Sequence, residues 1–275
     1  MRTRVYNKMT AREVEDYLAR GGRTLFVALG VTEVHGARPI DCEGILSEAV
    51  SLALTEETDG LAVINLPFFP GGTIISNATV QVSVRESIDF LMILSRSLVN
   101  QGFDRIFFVT GHGPAGLHVD AMCRDFFQEK KIHLCHLNLM MAMGKYLPKG
   151  DFSRFDTMIF GAYKMMHQMD YLPVDPEGEM IEPVSISADS PLGQLQGALR
   201  KLGCRMSTYY EVPEQHFGGA PFESEEARLT ACTEGELLIR QMAANIAQDV
   251  IDVQKALGSY HAYVQTILEK YPHTR

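Results

Sequence analysis

Glu33 and His35 stand one residue apart in Gly30-Val-Thr-Glu33-Val-His35-Gly36, directly after the apolar run Leu25-Phe-Val-Ala-Leu29. In an extended segment residues i and i+2 point the same way. A carboxylate and an imidazole therefore project together from one strand end. A second glycine-rich junction, Thr110-Gly111-His112-Gly113-Pro114-Ala115-Gly116, follows another apolar run and carries His112. Between the two junctions lies Asp41-Cys42-Glu43. Glu33, His35, an acid and His112 converging on one rim form a mixed oxygen and nitrogen set suited to Zn²⁺ or Mn²⁺. A divalent ion held there would supply a nucleophilic water at neutral pH. Glu43 and Asp41 compete for the position of the acid.

Other residues near these junctions could take part. Gly111 and Gly113 flank His112 and leave room for the backbone to approach a bound ligand. Arg38, beside the first loop, could hold an anionic or oxygen-rich substrate, or be a solvated charge. Cys42 reads as a bystander thiol. His118 and His167 are the candidates for proton transfer, which needs a group within hydrogen-bond reach of the leaving atom. His118 equally suits a supporting hydrogen bond to a metal ligand, and His167, after a methionine-rich apolar run, suits a half-buried structural histidine. The Gly111-x-Gly113 loop lacks the Lys-Ser/Thr of a P-loop and the third glycine of a dinucleotide fingerprint.

These loops need a frame to hold them. Thr10-Ala-Arg-Glu13 is a capping box, with Val14, Tyr17 and Leu18 on one helical face and Gly21-Gly22 as the stop. Strands are expected at 23–29, 61–66, 105–109 and 132–139, the first continuous and apolar as in a buried parallel sheet. Helices are expected after the first loop to about residue 57, from residue 88 to Gly102, and from the second junction through Met122 and Phe127. Residues 67–78, rich in Pro and Gly, read as an irregular pocket wall. Asp175-Pro-Glu-Gly178 is a turn, 192–202 a helix, 206–210 a last strand, and 234–257 a long amphipathic helix. The methionines between 140 and 206 suggest adaptable packing rather than a cofactor box. Strand-helix alternation of this kind makes an α/β fold with a parallel sheet covered on both faces.

The motifs also resemble a known family, as does much of the chain around them. Gly30-Val-Thr-Glu33-Val-His35-Gly36 resembles the G-S-T-E-x-H-G opening of the creatininase (creatinine amidohydrolase) family, and Thr110-Gly111-His112-Gly113-Pro114 its N-G-H-G-G-N. Glu43-Gly-Ile-Leu-Ser-Glu-Ala-Val50 is similar to its acidic ligand and the helix after it. Gly102-Phe-Asp-Arg-Ile-Phe-Phe108 is similar to its approach to the second strand. Gly219-Ala-Pro221 with Ala231-Cys-Thr-Glu-Gly235 is similar to its ending. The resemblance implies one three-layer α/β sandwich spanning residues 1–275, with a mostly parallel sheet, often assembled as a hexamer. It implies a metal-dependent hydrolase of small, polar, commonly cyclic amides, with Glu33 and His112 on one metal, His35 on the other and Glu43 bridging. The family's H-A-G-E-x-E-T-S motif has no counterpart, since the corresponding region reads Thr157-Met-Ile-Phe-Gly-Ala-Tyr-Lys-Met-Met-His167. That loss leaves two further readings open: a ring-opening C–C hydrolase of a cyclic, inositol-derived ketone, and a non-catalytic metabolite-binding homologue.

The totals set bounds on these readings. The chain has 275 residues, 46% of them hydrophobic, enough for one large core, and a formal net charge of −9 that disfavours nucleic acid. No apolar run is long enough for a membrane span, and no signal peptide is expected from the first residues. Five scattered cysteines without CxxC spacing suggest reduced thiols in the cytoplasm. The partners expected are a small-molecule substrate, one or two Zn or Mn ions per chain and further copies of the chain.

Overall fold

β1 (Thr24–Leu29) lies at the centre of the sheet because every one of its residues is buried. It pairs in parallel with β2 (Leu61–Val63) on one side and with β3 (Arg105–Thr110) on the other, and β3 pairs in parallel with β4 (Cys135–Asn138). The order β2-β1-β3-β4 is an all-parallel four-stranded sheet. The computed structural model describes residues 1–71, 78–147, 154–176, 187–204 and 220–272.

Alternate residues along the strands feed two helical layers, as a period of two requires. Leu25, Val27 and Leu29 face one side with Ile106 and Phe108. They are covered there by α1 (Ala11–Ala19), α3 (Val84–Asn100) and α4 (Gly116–Lys130). Phe26, Phe107 and Val109 face the other side. That face is covered by α2 (Cys42–Thr58), α5 (Leu139–Tyr146), α6 (Phe155–Met165) and α8 (Glu225–Lys270). α7 (Pro191–Lys201) buries no residue. The result is the expected α/β sandwich of three layers.

Local chemistry explains most boundaries. The Thr10–Glu13 capping box opens α1 as expected, and a second one, Ser83 with Glu86, opens α3. β2 stops at Val63 rather than 66, where Asn65 takes a left-handed φ of 66° that a strand cannot hold. β4 is shorter than expected at both ends. Lys131 is left-handed before it, and Asn138 caps α5 immediately after it. α8 is 46 residues long and runs well beyond both expected ends. Its passage across α6 depends on two glycines. A Cβ on Gly235 would lie 1.8 Å from the Thr157 carbonyl oxygen, and one on Gly161 2.0 Å from the Gly235 carbonyl carbon. The backbones touch, so nothing larger fits at this crossing. The strand expected at 206–210, residues 177–178 of the turn, 72–77 of the pocket wall and Gly219 lie outside the described residues.

Candidate metal centre

β1 and β3 are neighbours whose outgoing helices lie on opposite faces: α2 follows β1 on one face, α4 follows β3 on the other. Strand order reverses between them, and open α/β sheets hold their ligands in the crevice at such a point. The strands are in register, with Leu29 beside Thr110, so Gly30 and Gly111 leave the sheet at the same level.

Both glycines are needed to bring α2 close. A Cβ on Gly30 would lie 2.6 Å from the Gly44 Cα, and one on Gly111 would lie 2.9 Å from the Glu43 carbonyl oxygen. The Gly111 N–H donates to Ser47 Oγ (2.8 Å), whose hydroxyl donates to the Glu43 carbonyl (2.9 Å). The first turn of α2 is thereby pinned under the second junction. The space that Gly111 leaves is filled by α2, whereas beside Gly113 it is open.

Four of the expected residues meet here. Donor atoms of Glu33, His35 and Glu43 lie within 4.8 Å of one another. His112 Nδ1 is 2.6 Å from Glu43 Oε2 and 3.9 Å from Glu33 Oε2, while His35 Nε2 is 3.4 Å from Glu43 Oε1. The two imidazoles thus take the two oxygens of one carboxylate. Glu33, Glu43 and His112 are buried, and His35 is half-buried with its Nδ1 against the Glu33 carbonyl at 3.0 Å. Further bonds fix the loop: Glu33 N–H donates to the Ile40 carbonyl, and Val34 N–H to Thr79 Oγ1.

Burial alone would raise Glu43, yet the His35 charge and the His112 hydrogen bond bring its carboxyl down to about 2. Burial likewise lowers His35, but Cys42 and Glu43 more than offset it and hold the imidazole well above its usual value. The cluster therefore stabilises positive charge among its carboxylates. Donors about 2.1 Å from a tetrahedral ion stand about 3.4 Å from one another, so the observed spacing needs only small shifts to close on a cation. The donor set fits a divalent metal.

The competing acid is engaged elsewhere. Asp41 accepts a hydrogen bond from the Tyr163 hydroxyl of α6, and burial together with that bond raises the Tyr163 hydroxyl. Arg38 is also held. Its Nε donates to the His35 carbonyl (3.0 Å) and its guanidinium pairs with Asp156 of α6. Asp156 and Tyr163 were not singled out in the sequence, though their i, i+7 spacing puts them on one helical face. Cys42 is fully buried, and its neighbourhood helps to hold the His35 imidazole above its usual value.

His118, in the first turn of α4, is buried, with its ring stacked on Phe69 (5.8 Å between centroids, 7° between planes). Burial, then the charges of His112 and His136, push it down to about 4. His167 is exposed, not half-buried, at a left-handed residue just past α6. Among the described residues no hydrogen bond or ion pair joins its side chain to the cluster. On the far side of α2's first turn, Gly30, Asp41, Gly44, Glu48, Pro67 and Gln168 help to line a cavity of about 360 Å³.

The family model for creatininase, described as creatinine amidohydrolase, matches residues 7–169. No curated protein matches the chain. Among solved structures, a mutant creatininase of Zn-Zn type is similar at a TM-score of 0.60 and 14% identity, covering 92% of this chain and 98% of its own. A creatininase with Mn matches at 0.60 and 14%, covering 91% and 98%. A mutant creatininase complexed with creatine matches at 0.60 and 15%, covering 91% and 98%. At this identity the likeness to solved structures establishes the fold. The family model spans more than half of the sequence, including every residue of the cluster, and the chain belongs to the creatininase family of metal-dependent amidohydrolases.

Proposed function

We propose that this protein hydrolyses a C–N bond in a small, polar, cyclic amide-type substrate with the help of one or two divalent ions. The observation that carries the reading is the convergence of Glu33, His35 and Glu43 within 4.8 Å, with His112 on the same Glu43 carboxylate. Glu33, His35, Glu43 and His112 would hold the metal, Glu33 and His112 one ion and His35 with Glu43 a second if two are bound. When bound, a divalent ion supplies a water that is nucleophilic at neutral pH and polarises the scissile carbonyl.

The chain's own residues do the rest. Glu43 orients both imidazoles, one on each oxygen. Gly113, with open space where a side chain would be, leaves room for substrate beside His112. Arg38, clamped between the His35 carbonyl and Asp156, fixes the loop and presents positive charge to oxygen-rich substrates. Burial around Glu33, Glu43 and His112 excludes water, which strengthens every charge interaction inside.

Zinc and manganese are the ions named for two of the matched creatininases, and a third is complexed with creatine, which supports a metal of that kind and a small-molecule substrate here. No described helix is long and apolar enough to cross a membrane, and all five cysteines are free, in keeping with a reducing cytoplasm. A homo-oligomer, a hexamer by family resemblance, belongs to the same reading. The ring-opening C–C alternative finds no support in the family model or the matched structures.

The test is a screen of zinc- and manganese-reconstituted protein against lactams, cyclic ureas and formamides, read by mass. Addition of one water to a cyclic amide, lost in Glu33→Gln, supports the reading. Metal-loaded protein that binds such a compound and leaves it intact makes the chain a non-catalytic homologue.

A further inference from the structure

His118 is buried in a way that its immediate surroundings do not repay. Its side chain is 1% exposed, and among the described residues neither ring nitrogen has a hydrogen-bond partner. A neutral imidazole carries one N–H and one lone pair, and burying either unpaired is costly. A leucine or phenylalanine would pack against Phe69 without that cost. A buried polar group retained under such conditions calls for a use.

His112 has the matching requirement. Its Nδ1 is turned to Glu43 and Glu33, while its Nε2 is buried and, among the described residues, without a partner. When Nδ1 gives its lone pair to a cation, the ring's one proton must be on Nε2, where no described residue accepts it. Metal-ligating histidines ordinarily donate that second N–H to an oriented acceptor, which fixes the tautomer and the tilt of the ring. The two histidines belong to one short stretch. His112 precedes the 3-10 turn Gly113–Ala115, which runs straight into α4, where His118 is the third residue. They are near enough that charge on His112 is felt at His118.

We propose that His118 is the positioning residue for His112. One of its ring nitrogens accepts the Nε2–H of His112 through a single buried water, and so turns Nδ1 toward the two carboxylates. The stack on Phe69 keeps the His118 ring in plane for that bond. The same loop continues to Gly71, where a Cβ would stand 3.6 Å from the Glu33 carboxylate, so the support reaches both ends of the cluster. The inference rests on His112 being a metal ligand, as the proposed function has it.

The experiment measures Zn²⁺ affinity by chelator competition for the wild type, His118→Phe and His118→Gln, together with the melting temperature of each metal-free protein. In zinc-loaded wild type, ¹⁵N NMR of the imidazoles reports the His112 tautomer. The proposal expects the proton on Nε2 of His112 and a loss of about 10- to 100-fold in zinc affinity for His118→Phe. It expects partial recovery in His118→Gln, whose amide oxygen accepts, and a metal-free melting temperature for His118→Phe equal to or above wild type. Equal zinc affinity in wild type and His118→Phe overturns the proposal and leaves the metal reading intact. So does a phenylalanine variant whose affinity falls only with its metal-free stability and that glutamine does not rescue. Wild type that binds no zinc overturns both, and should either variant fail to fold, the ¹⁵N signals of the His118 ring in zinc-loaded wild type decide: a nitrogen that accepts a hydrogen bond supports the proposal, and two nitrogens without one overturn it.

Discussion

His112 and Glu43 are 69 residues apart in sequence, and their side chains meet at 2.6 Å, Nδ1 to Oε2, in a setting where both are more than nine-tenths buried. Neither is placed by its own element alone. Gly111 and Ser47 lock the second junction to the first turn of α2, and only then can the imidazole reach the carboxylate. Asp41, two residues before Glu43, lies on the other side of that turn with Tyr163.

That division separates the two acids experimentally. Glu43→Gln keeps the size of the side chain and removes its charge, so zinc affinity should fall by at least 100-fold. Asp41→Asn should change it by less than about 3-fold, because losing one hydrogen-bonded partner costs on the order of 1 kcal/mol and acts at a distance from the ions. Chelator competition on the two variants gives the comparison.

The crossing of α6 and α8 allows a prediction about stability. A methyl group on Gly235 has no place between the Thr157 carbonyl and the Gly161 backbone. The helices must separate, and overpacking of this kind costs about 1–3 kcal/mol or more. Gly235→Ala should lower the denaturant midpoint accordingly, whereas Gly197→Ala, in open space on α7, should leave it unchanged or raise it slightly.

For pH dependence His118 is the informative group. Its folded value of about 4 lies below the usual 6.5, so it binds protons more readily when unfolded. Its contribution is therefore fully present above pH 6.5 and is lost as pH falls toward 4. Over that span the loss is on the order of 3 kcal/mol. Metal-free wild type should lose more stability between pH 7 and pH 4 than His118→Phe does, the difference being read from urea midpoints at each pH.

Arg38 and Asp156 are paired across the loop and α6. Because Arg38 fixes the loop through Asp156 and also presents its charge to the substrate, Arg38→Ala should reduce kcat/KM more than Asp156→Ala, with the excess carried by KM, and the double variant should lose little more than Arg38→Ala. Equal losses in the two single variants would mean that the guanidinium only fixes the loop.

Much of the fold was legible because its signals are local. Apolar runs bounded by glycine marked β1 and β3, and Thr10 with Glu13 marked α1. α5 and α6 were not legible. Their methionines and aromatics are packed against core on most sides, so no polar face sets a period to read. In the site, Glu33, His35 and His112 could be read from strand-end spacing. That Glu43 rather than Asp41 meets His112 could not, since it depends on which side of one helical turn faces that imidazole. The clamps from Asp156 and Tyr163 come from a helix more than a hundred residues away, and sequence spacing carries no trace of such pairings.

The central claim is that the cluster holds a cation. The most direct measurement is the metal content of protein reconstituted with zinc or manganese and dialysed against metal-free buffer, for wild type and for Glu33→Ala/His112→Ala. We predict one or two tightly held ions per chain in the wild type and loss of at least one in the double variant, with the fold retained by circular dichroism. A wild type that leaves dialysis without metal, or a double variant that retains the full complement, would contradict it.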